Sequence, residues 1–521
     1  MFGSSKLPKI RTRTVVVTTK KPAQGSGTSS ASPNVSSNGI RRPTTTSVPT
    51  NRYGLTPSSK VRASAAQLRE PARQSLSVTG QQKRKGMRKV TPDNRPQWAS
   101  SSDESSDDED LSARKRQKTS SSSEPTSLNR CLEPDLQRRI HIEELDASKQ
   151  DNGSGASAVA ERKGPAPEAT LVQGLKMSRG EWFKDFKPAF PDLGKDLVVE
   201  LQYPSSSRPE KFDTVTPLDN SNYNPLDDIC FSIEQIIQHY LPSDLSASLS
   251  SETDGPVRLL KRAVGKNSPQ DFQAALNDFN SLIKKKFEDK TITKVLDAIH
   301  AIPLSLTKHI LAQVYQRTVS PYAHLLRKVK GKETTYGELM PSFAHTIFQQ
   351  TSLNSKSVFV DLGSGVGNVV LQSALQTGAE SWGIELMDNP AKYARRQASE
   401  LRARSKLWNI SLGPITLHHG DFLDSAPIDT VLRRADVVLC NNKVFPQKLN
   451  VALLDKFLDL KMGCKVVSLA SFVDGGFGSK QGTRNEQSIA NLFEEERFDS
   501  GTYSVSWAGE SVEYFIATKV R

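Results

Sequence analysis

Apolar residues change their spacing twice along this chain. From Met1 to about residue 165 they are sparse and aperiodic. Of the chain's 5 Trp, 10 Tyr and 20 Phe, only Phe2, Tyr53 and Trp98 fall there, among Ser, Thr, Pro and Gly. Such a segment buries too little apolar surface to offset its chain entropy, so residues 1–165 read as a disordered tail. From about residue 195 the pattern turns regular. DLVVELQYP is a short strand candidate, and LDDICFSIEQIIQHYL (Leu226 to Leu241) repeats apolar residues at helical spacing, with Asp227 and Asp228 in its first turn. SPQDFQAALNDFNSLIKKKFED (Ser268 to Asp289) opens on a Ser cap and an N1 proline. KTITKVLDAIHAI and SLTKHILAQVYQRTV predict further helices, so residues 195–340 form a helical N-terminal part of the catalytic region, with no chemistry visible over 226–335.

After Pro341 strands alternate with helices. The strands are predicted at 357–361, 381–385, 415–419, 436–441 and 464–470, and YSVSW and VEYFIATK close residues 341–521 as an antiparallel pair. Seven strands in this rhythm predict an α/β, doubly wound, Rossmann-like sheet.

One stretch carries a chemical signal, VFVDLGSGVGNVVLQ (Val358 to Gln372). A strand runs into Asp361, Gly363, Gly365 and Gly367 follow at every second position, and a helix begins. Glycines in such a turn let backbone approach a ligand at the carboxyl end of the strand. A dinucleotide fold wants G-x-G-x-x-G with a pyrophosphate on the helix N-terminus. Here the sixth position is Asn368, and the carboxylate of Asp361 would repel a pyrophosphate. The same carboxylate suits an ammonium or sulfonium cation, which favours S-adenosylmethionine. Glu385, ending the next strand, can accept ribose hydroxyls of either cofactor. Asp421 and Phe422 follow the third strand, where an acid can accept the adenine amine and an aromatic can pack on the base. One acid at a strand end is commonly a surface cap; three beside a glycine loop suggest a pocket. Asn441-Asn442-Lys443-Val444-Phe445 ends the fourth strand, and either an amine-orienting amide or a plain Asx turn would explain it.

Charge divides the chain. Residues 1–100 hold nineteen Lys/Arg against Glu70 and Asp93, a net of +17; with +13 overall, the remaining 421 residues sum to −4. The tail, with its clusters QQKRKGMRK and ARKRQK around SSDESSDDED, therefore suits DNA and nuclear import. The four cysteines, Cys131, Cys230, Cys440 and Cys464, lack ligand spacing, so neither a zinc site nor a disulfide framework is expected. No membrane span or signal peptide is expected either.

TYGEL, FVDLGSGVGNVV, the strand-ending Glu, GDF, NNKVF and SVSWAGESVEYF, in that order over residues 195–521, closely resemble the disruptor-of-telomeric-silencing family. These are the non-SET methyltransferases of histone H3 lysine 79, with roles in chromatin silencing and the DNA-damage response. The resemblance implies S-adenosylmethionine as cofactor and the nucleosome as partner, in the nucleus. It assigns cofactor contacts to Tyr336, Gly337, Glu338, Leu339, Phe359, Val360, Asp361, Leu362, Gly363, Ser364, Gly365, Val366, Gly367, Asn368, Glu385, Asp421, Phe422 and Asn441. The family more often has Gln at the place of Asn368. The resemblance also puts Phe445, Trp507 and Tyr514 at a narrow lysine entrance, with Asn441 and Tyr514 as the candidate catalytic residues and no metal. VVSLASF (Val466 to Phe472) departs from the family's usual Ser-Lys-Pro-Phe type run. Without the resemblance, Trp507 and Tyr514 read as a cross-strand core pair. Two other readings are a nucleic-acid amino-group methyltransferase and a non-catalytic DNA-binding scaffold. A monomer is the default expectation.

Overall fold

Short apolar runs become buried strands where helices can cover both faces, and Val358–Leu362, buried at every position, is the centre of that arrangement. The computed structural model describes residues 130–142, 171–180, 185–193, 197–219, 223–326, 337–472 and 489–521. The basic and acidic clusters of the tail lie outside the described residues.

Four short strands come first: β1 (Phe186–Pro188), β2 (Val198–Leu201), β3 (Glu210–Asp213) and β4 (Val215–Pro217), paired β1 with β4 and β2 with β3. Helices follow as α1 (Pro225–Tyr240), α2 (Pro256–Gly265), α3 (Pro269–Glu288), α4 (Thr291–Ala298) and α5 (Leu304–Thr318). Ser268 caps α3 as predicted, accepting from the Asp271 amide, and Asn224 caps α1, accepting from the Leu226 amide.

The second part holds α6 (Pro341–Thr351), β5 (Val358–Leu362), α7 (Asn368–Gln376), β6 (Glu380–Glu385), α8 (Asp388–Leu407), β7 (Ile415–His419), α9 (Ala426–Leu432), β8 (Val437–Cys440), α10 (Gln447–Phe457), β9 (Lys465–Ser468), β10 (Phe493–Asp499) and β11 (Glu513–Lys519). Seven strands form one sheet in the order β10-β11-β9-β8-β5-β6-β7. β5 pairs in parallel with both β6 and β8, so strand order reverses at its carboxyl end and opens a crevice there.

Two expectations need correcting. YSVSW is not a strand; Val505 makes only isolated bridges, to Leu339 and Ala508. The partner of β11 is β10, FEEERFD, and β11 inserts between β10 and β9. Charges dominate β10 because it is the sheet's outer edge, where exposed acids discourage further pairing and hide the strand from an apolar pattern.

Nor is all of 1–165 a disordered tail, since residues 130–142 are packed against the fold. Residues 130–142 lie as a strap along the ends of the strands remote from the crevice. Leu132 and Ile140 are buried, and the Ser411 amide donates to Ile140 O at 2.7 Å. The buried Arg138 guanidinium donates to Gln376 O at 2.6 Å, Leu375 O at 2.7 Å and Ser411 O at 3.1 Å. It thereby caps the C-terminus of α7, where the helix dipole favours a cation.

A buried ionic lattice joins the helical part to the sheet. Arg317 on α5 bonds Glu210 of β3 at 3.0 Å and Asp228 of α1 at 2.6 Å. Arg404 on α8 bonds Glu210 and Glu400, both at 2.9 Å. Gln313 donates to Asp228 at 2.7 Å and accepts from the Trp408 indole at 3.0 Å. Burial alone would raise the Asp228 pKa, but Arg317, with His309, Gln313 and Arg404, outweighs it and holds the carboxyl at about 2.

Candidate active site

The crevice at the end of β5 is a cavity of about 340 Å³. Its floor is the glycine turn, with φ of +90° at Gly363, +55° at Gly365 and +84° at Gly367. The Gly363 and Ser364 amides donate to Ile384 O at 3.0 and 2.9 Å, and the Gly365 amide donates to Glu385 Oε2 at 2.9 Å. The loop can press so closely on β6 because residue 383 is glycine; a Cβ there would lie 2.8 Å from Ser364 Oγ. From behind, Gln397 of α8 donates to Val366 O at 2.7 Å and to Asn368 Oδ1 at 3.0 Å.

Asp361 and Glu385 face this turn from adjacent strands. Burial and the neighbouring Glu385 carboxylate push the Asp361 pKa up to about 8. Burial also raises Glu385, partly offset by the N–H groups of Met387, at 2.7 Å, and Gly365. Asp421 and Phe422 complete the next wall, and the Phe422 ring stacks on Phe445 with centroids 6.2 Å apart.

The two asparagines after β8 stand in different surroundings. Asn441 lines the cavity, and its Nδ2 reaches Gly337 O at 3.5 Å. Asn442 is buried and ties the end of β8 to the residues after β9: its Oδ1 accepts from the Leu469 amide at 3.0 Å and the Ala470 amide at 2.8 Å, and its Nδ2 donates to Ala470 O at 3.0 Å.

The opposite lip is Gly337-Glu338-Leu339. The Glu338 amide donates to Ser506 Oγ and the Ser506 amide to Glu338 O, each at 2.9 Å, while Tyr315 Oη donates to Glu338 Oε1 at 3.0 Å. The Trp507 ring occupies the place of a residue-337 side chain, 2.4 Å from where a Cβ would stand. Only glycine permits that contact.

Gly337, Glu338, Leu339, Asp361, Gly363, Ser364, Gly365, Val366, Asn368, Glu385, Asp421, Phe422, Asn441, Phe445 and Trp507 thus meet around one cavity. Tyr336 lies outside the described residues. Phe359, Val360 and Leu362 do not reach the cavity: they are core side chains of β5, shielded from it by the sheet itself. Gly367 is the N-cap of α7, with its Cβ direction toward Ala394 and Leu417.

Tyr514 requires the largest correction. It is buried in the core between Phe343, with centroids 4.9 Å apart, and Phe498, at 5.5 Å, and its hydroxyl donates to Gln350 at 2.6 Å. Its ring is held in that core opposite Phe498 of β10 and does not line the cavity, whereas Trp507, in a turn outside the strands, does. The sequence reading also missed Leu386, Met387 and Pro390, which line the cavity directly after Glu385, and Lys443 and Val444 within NNKVF. Proximity to recognised motifs was the available signal for all five. No group of side chains suited to a metal ion occurs among the described residues.

Residues 315–519 match the family described as histone methylation protein DOT1. The H3 lysine-79 specific histone-lysine N-methyltransferase of Aspergillus fumigatus is 42% identical over 388 residues, covering 74% of this chain and 74% of that protein. The Emericella nidulans protein of the same name is 44% identical over 335 residues, covering 64% of this chain and 66% of that protein. A putative class I S-adenosylmethionine-dependent methyltransferase from Listeria monocytogenes overlays loosely, with a TM-score of 0.30 at 12% identity over 57% of this chain and 88% of that one. With 42% identity over about three quarters of both chains, and a glycine turn, paired acids and NNKVF gathered at one switch point, the chain belongs to the DOT1 family of S-adenosylmethionine-dependent, H3 lysine-79 specific histone-lysine N-methyltransferases.

Proposed function

We propose that this chain methylates lysine 79 of histone H3 within nucleosomes, and that the cavity at the end of β5 is where the donor and the lysine meet. The observation that carries the reading is the pair Asp361 and Glu385. They are two carboxyls in one crevice, and burial together with the Glu385 carboxylate holds Asp361 up to about 8. Such a crevice resists phosphate and welcomes a positively charged ligand. S-adenosylmethionine, when bound, supplies a methyl group already activated on a sulfonium.

The remaining work belongs to the protein. Asp361 receives the donor's ammonium, Glu385 its ribose hydroxyls, and Asp421 with Phe422 its base. Asn441 orients the lysine amine at the methyl group, and Phe445 and Trp507 wall its approach. The attacking amine must be neutral, which costs about 4.6 kcal/mol at pH 7 for a lysine of pKa about 10.4. Aromatic walls that strip water from the ammonium lower that pKa, and in-line positioning supplies most of the rest. No side chain is assigned as general base.

The basic tail neutralises nucleosomal phosphates and carries the protein to the nucleus, and the enzyme works as a monomer. Deletion of residues 1–129, which spares the docked strap, should weaken nucleosome binding and flatten its salt dependence while donor affinity persists. Labelled S-adenosylmethionine offered with nucleosomes, free histones and naked DNA in parallel tests the whole reading. Label confined to H3 in nucleosomes supports it, and label in DNA sinks it. Asn441→Ala should cut turnover at least about a hundredfold with little change in donor affinity.

A further inference from the structure

Outside the tail, residues 166–521 balance 41 Lys/Arg against 41 Asp/Glu, yet one long helix presents a face of almost pure positive charge. Beyond its first turn, the side chains of α8 that reach solvent are Lys392, Arg395, Arg396, Ser399, Arg402 and Lys406. Five of these six are basic. The helix has one acid beyond its first turn, Glu400, and that carboxylate is turned inward to Arg404 in the buried lattice. Exposed helices commonly set Glu and Lys four apart, which stabilises them, whereas like charges at that spacing repel. Lys392 with Arg396, and Arg402 with Lys406, are such like pairs. Lys392 and Arg395 form no ion pair with any described residue, and Arg396 lies over the rings of Tyr322 and Tyr393, at 5.5 and 5.4 Å.

The stripe has a position as well as a sign. Pro390, in the first turn of α8, lines the catalytic cavity. From Lys392 to Lys406 the stripe then runs about 21 Å away from it, at 1.5 Å per residue. The far end continues into Arg208, exposed next to Ser207, whose hydroxyl contacts Lys406 O at 3.4 Å. A row of cations this long and straight complements the backbone of a nucleic-acid duplex. It suits an acidic protein patch less well, because such patches are compact.

We propose that this face of α8 is a second phosphate-binding surface, lying along duplex DNA of the nucleosome while the adjoining cavity engages the histone lysine. The inference rests on the nucleosomal reading of the substrate, and its test is a binding measurement that does not depend on turnover. In the full chain, Lys392→Gln, Arg395→Gln and Lys406→Gln are combined; Arg396 is left in place because it packs on two tyrosines. Nucleosome affinity is measured between 50 and 200 mM salt, beside affinity for a naked duplex, for histone octamer and for S-adenosylmethionine. The triple variant should bind nucleosomes at least about tenfold more weakly, with a log–log salt slope shallower by about 2 to 3. It should lose affinity for the duplex in parallel and keep donor affinity. The charge-retaining set Lys392→Arg, Arg395→Lys and Lys406→Arg should behave as wild type. An unchanged slope and affinity would overturn the proposal. So would a loss seen equally on octamer without DNA and absent on the duplex, which would assign the face to an acidic histone surface. Failure of the wild-type protein to methylate H3 would instead strike the functional reading, and the salt slopes would still report on the stripe.

Discussion

Two groups of buried carboxyls in this protein have opposite chemistry. Glu210, Asp228 and Glu400 meet the guanidiniums of Arg317 and Arg404, and Glu210 and Asp228 are pulled below the ordinary carboxylate range despite burial. Asp361 is also buried and Glu385 partly so, but they stand together beside the glycine turn, and both are pushed up. Asp361 shares residue type and burial with the first group; the difference is whether the fold supplies the counter-charge. A carboxyl whose partner is built in joins elements together, and one whose partner is left out is available to a ligand.

The largest effect should come from breaking the first group. Arg404→Met leaves Glu210 and Glu400 short of a counter-charge in a dry interior and should cost about 3–5 kcal/mol in denaturant titrations. A loss below about 1 kcal/mol would mean that water reaches the lattice and that the contrast is overdrawn.

Asp361→Asn should act with two signs. Donor affinity should fall about tenfold to a hundredfold by calorimetry, since a charge-assisted contact is lost. The ligand-free protein, however, should melt higher than wild type at pH 8 and equally at pH 4. A carboxyl whose folded pKa stands above its unfolded one binds more protons folded than unfolded between those values. Its contribution therefore falls as pH rises from about 4 to about 8. Equal melting at both pH values would remove the uncompensated acid from the picture.

The lattice predicts the reverse trend at lower pH. The contribution of Asp228 is present above its unfolded pKa near 4 and is lost as pH falls toward about 2. Ligand-free protein should therefore be most stable near pH 4 to 5. Saturating S-adenosylmethionine should extend that plateau toward pH 8 and release up to one proton on binding at pH 6 to 7. Calorimetry in buffers of different ionisation enthalpy reads that proton directly.

The smallest effect calibrates the rest. Lys211 and Glu200 stand 3.5 Å apart on the surface, each about half exposed. Replacing both with Ala should move stability by less than about 0.5 kcal/mol, because water and salt already screen the pair.

Much of this was readable along the chain. The parallel strands, the glycine turn and Asp361, Glu385, Asp421 and Asn441 each announce themselves through local spacing, and all four side chains reach one cavity. What escaped was long-range. Tyr514 looks like a partner of Trp507 until β10, a charged edge strand with no apolar rhythm, takes the place beside β11. The strap at 130–142 was invisible because a few apolar residues among charges cannot form a core alone; it is held by distant partners, among them His300, Leu304, Gln376 and Ser411.

The sequence by itself determined the kind of sheet, the ligand-facing turn and the sign of the charge at each strand end, because these follow from neighbours a few residues apart. The tertiary structure alone decided which acids have a partner and which do not. Glu210 and Arg404 are 194 positions apart, and the energy of a buried charge depends on what stands within a few ångströms of it, not on what precedes it in the chain.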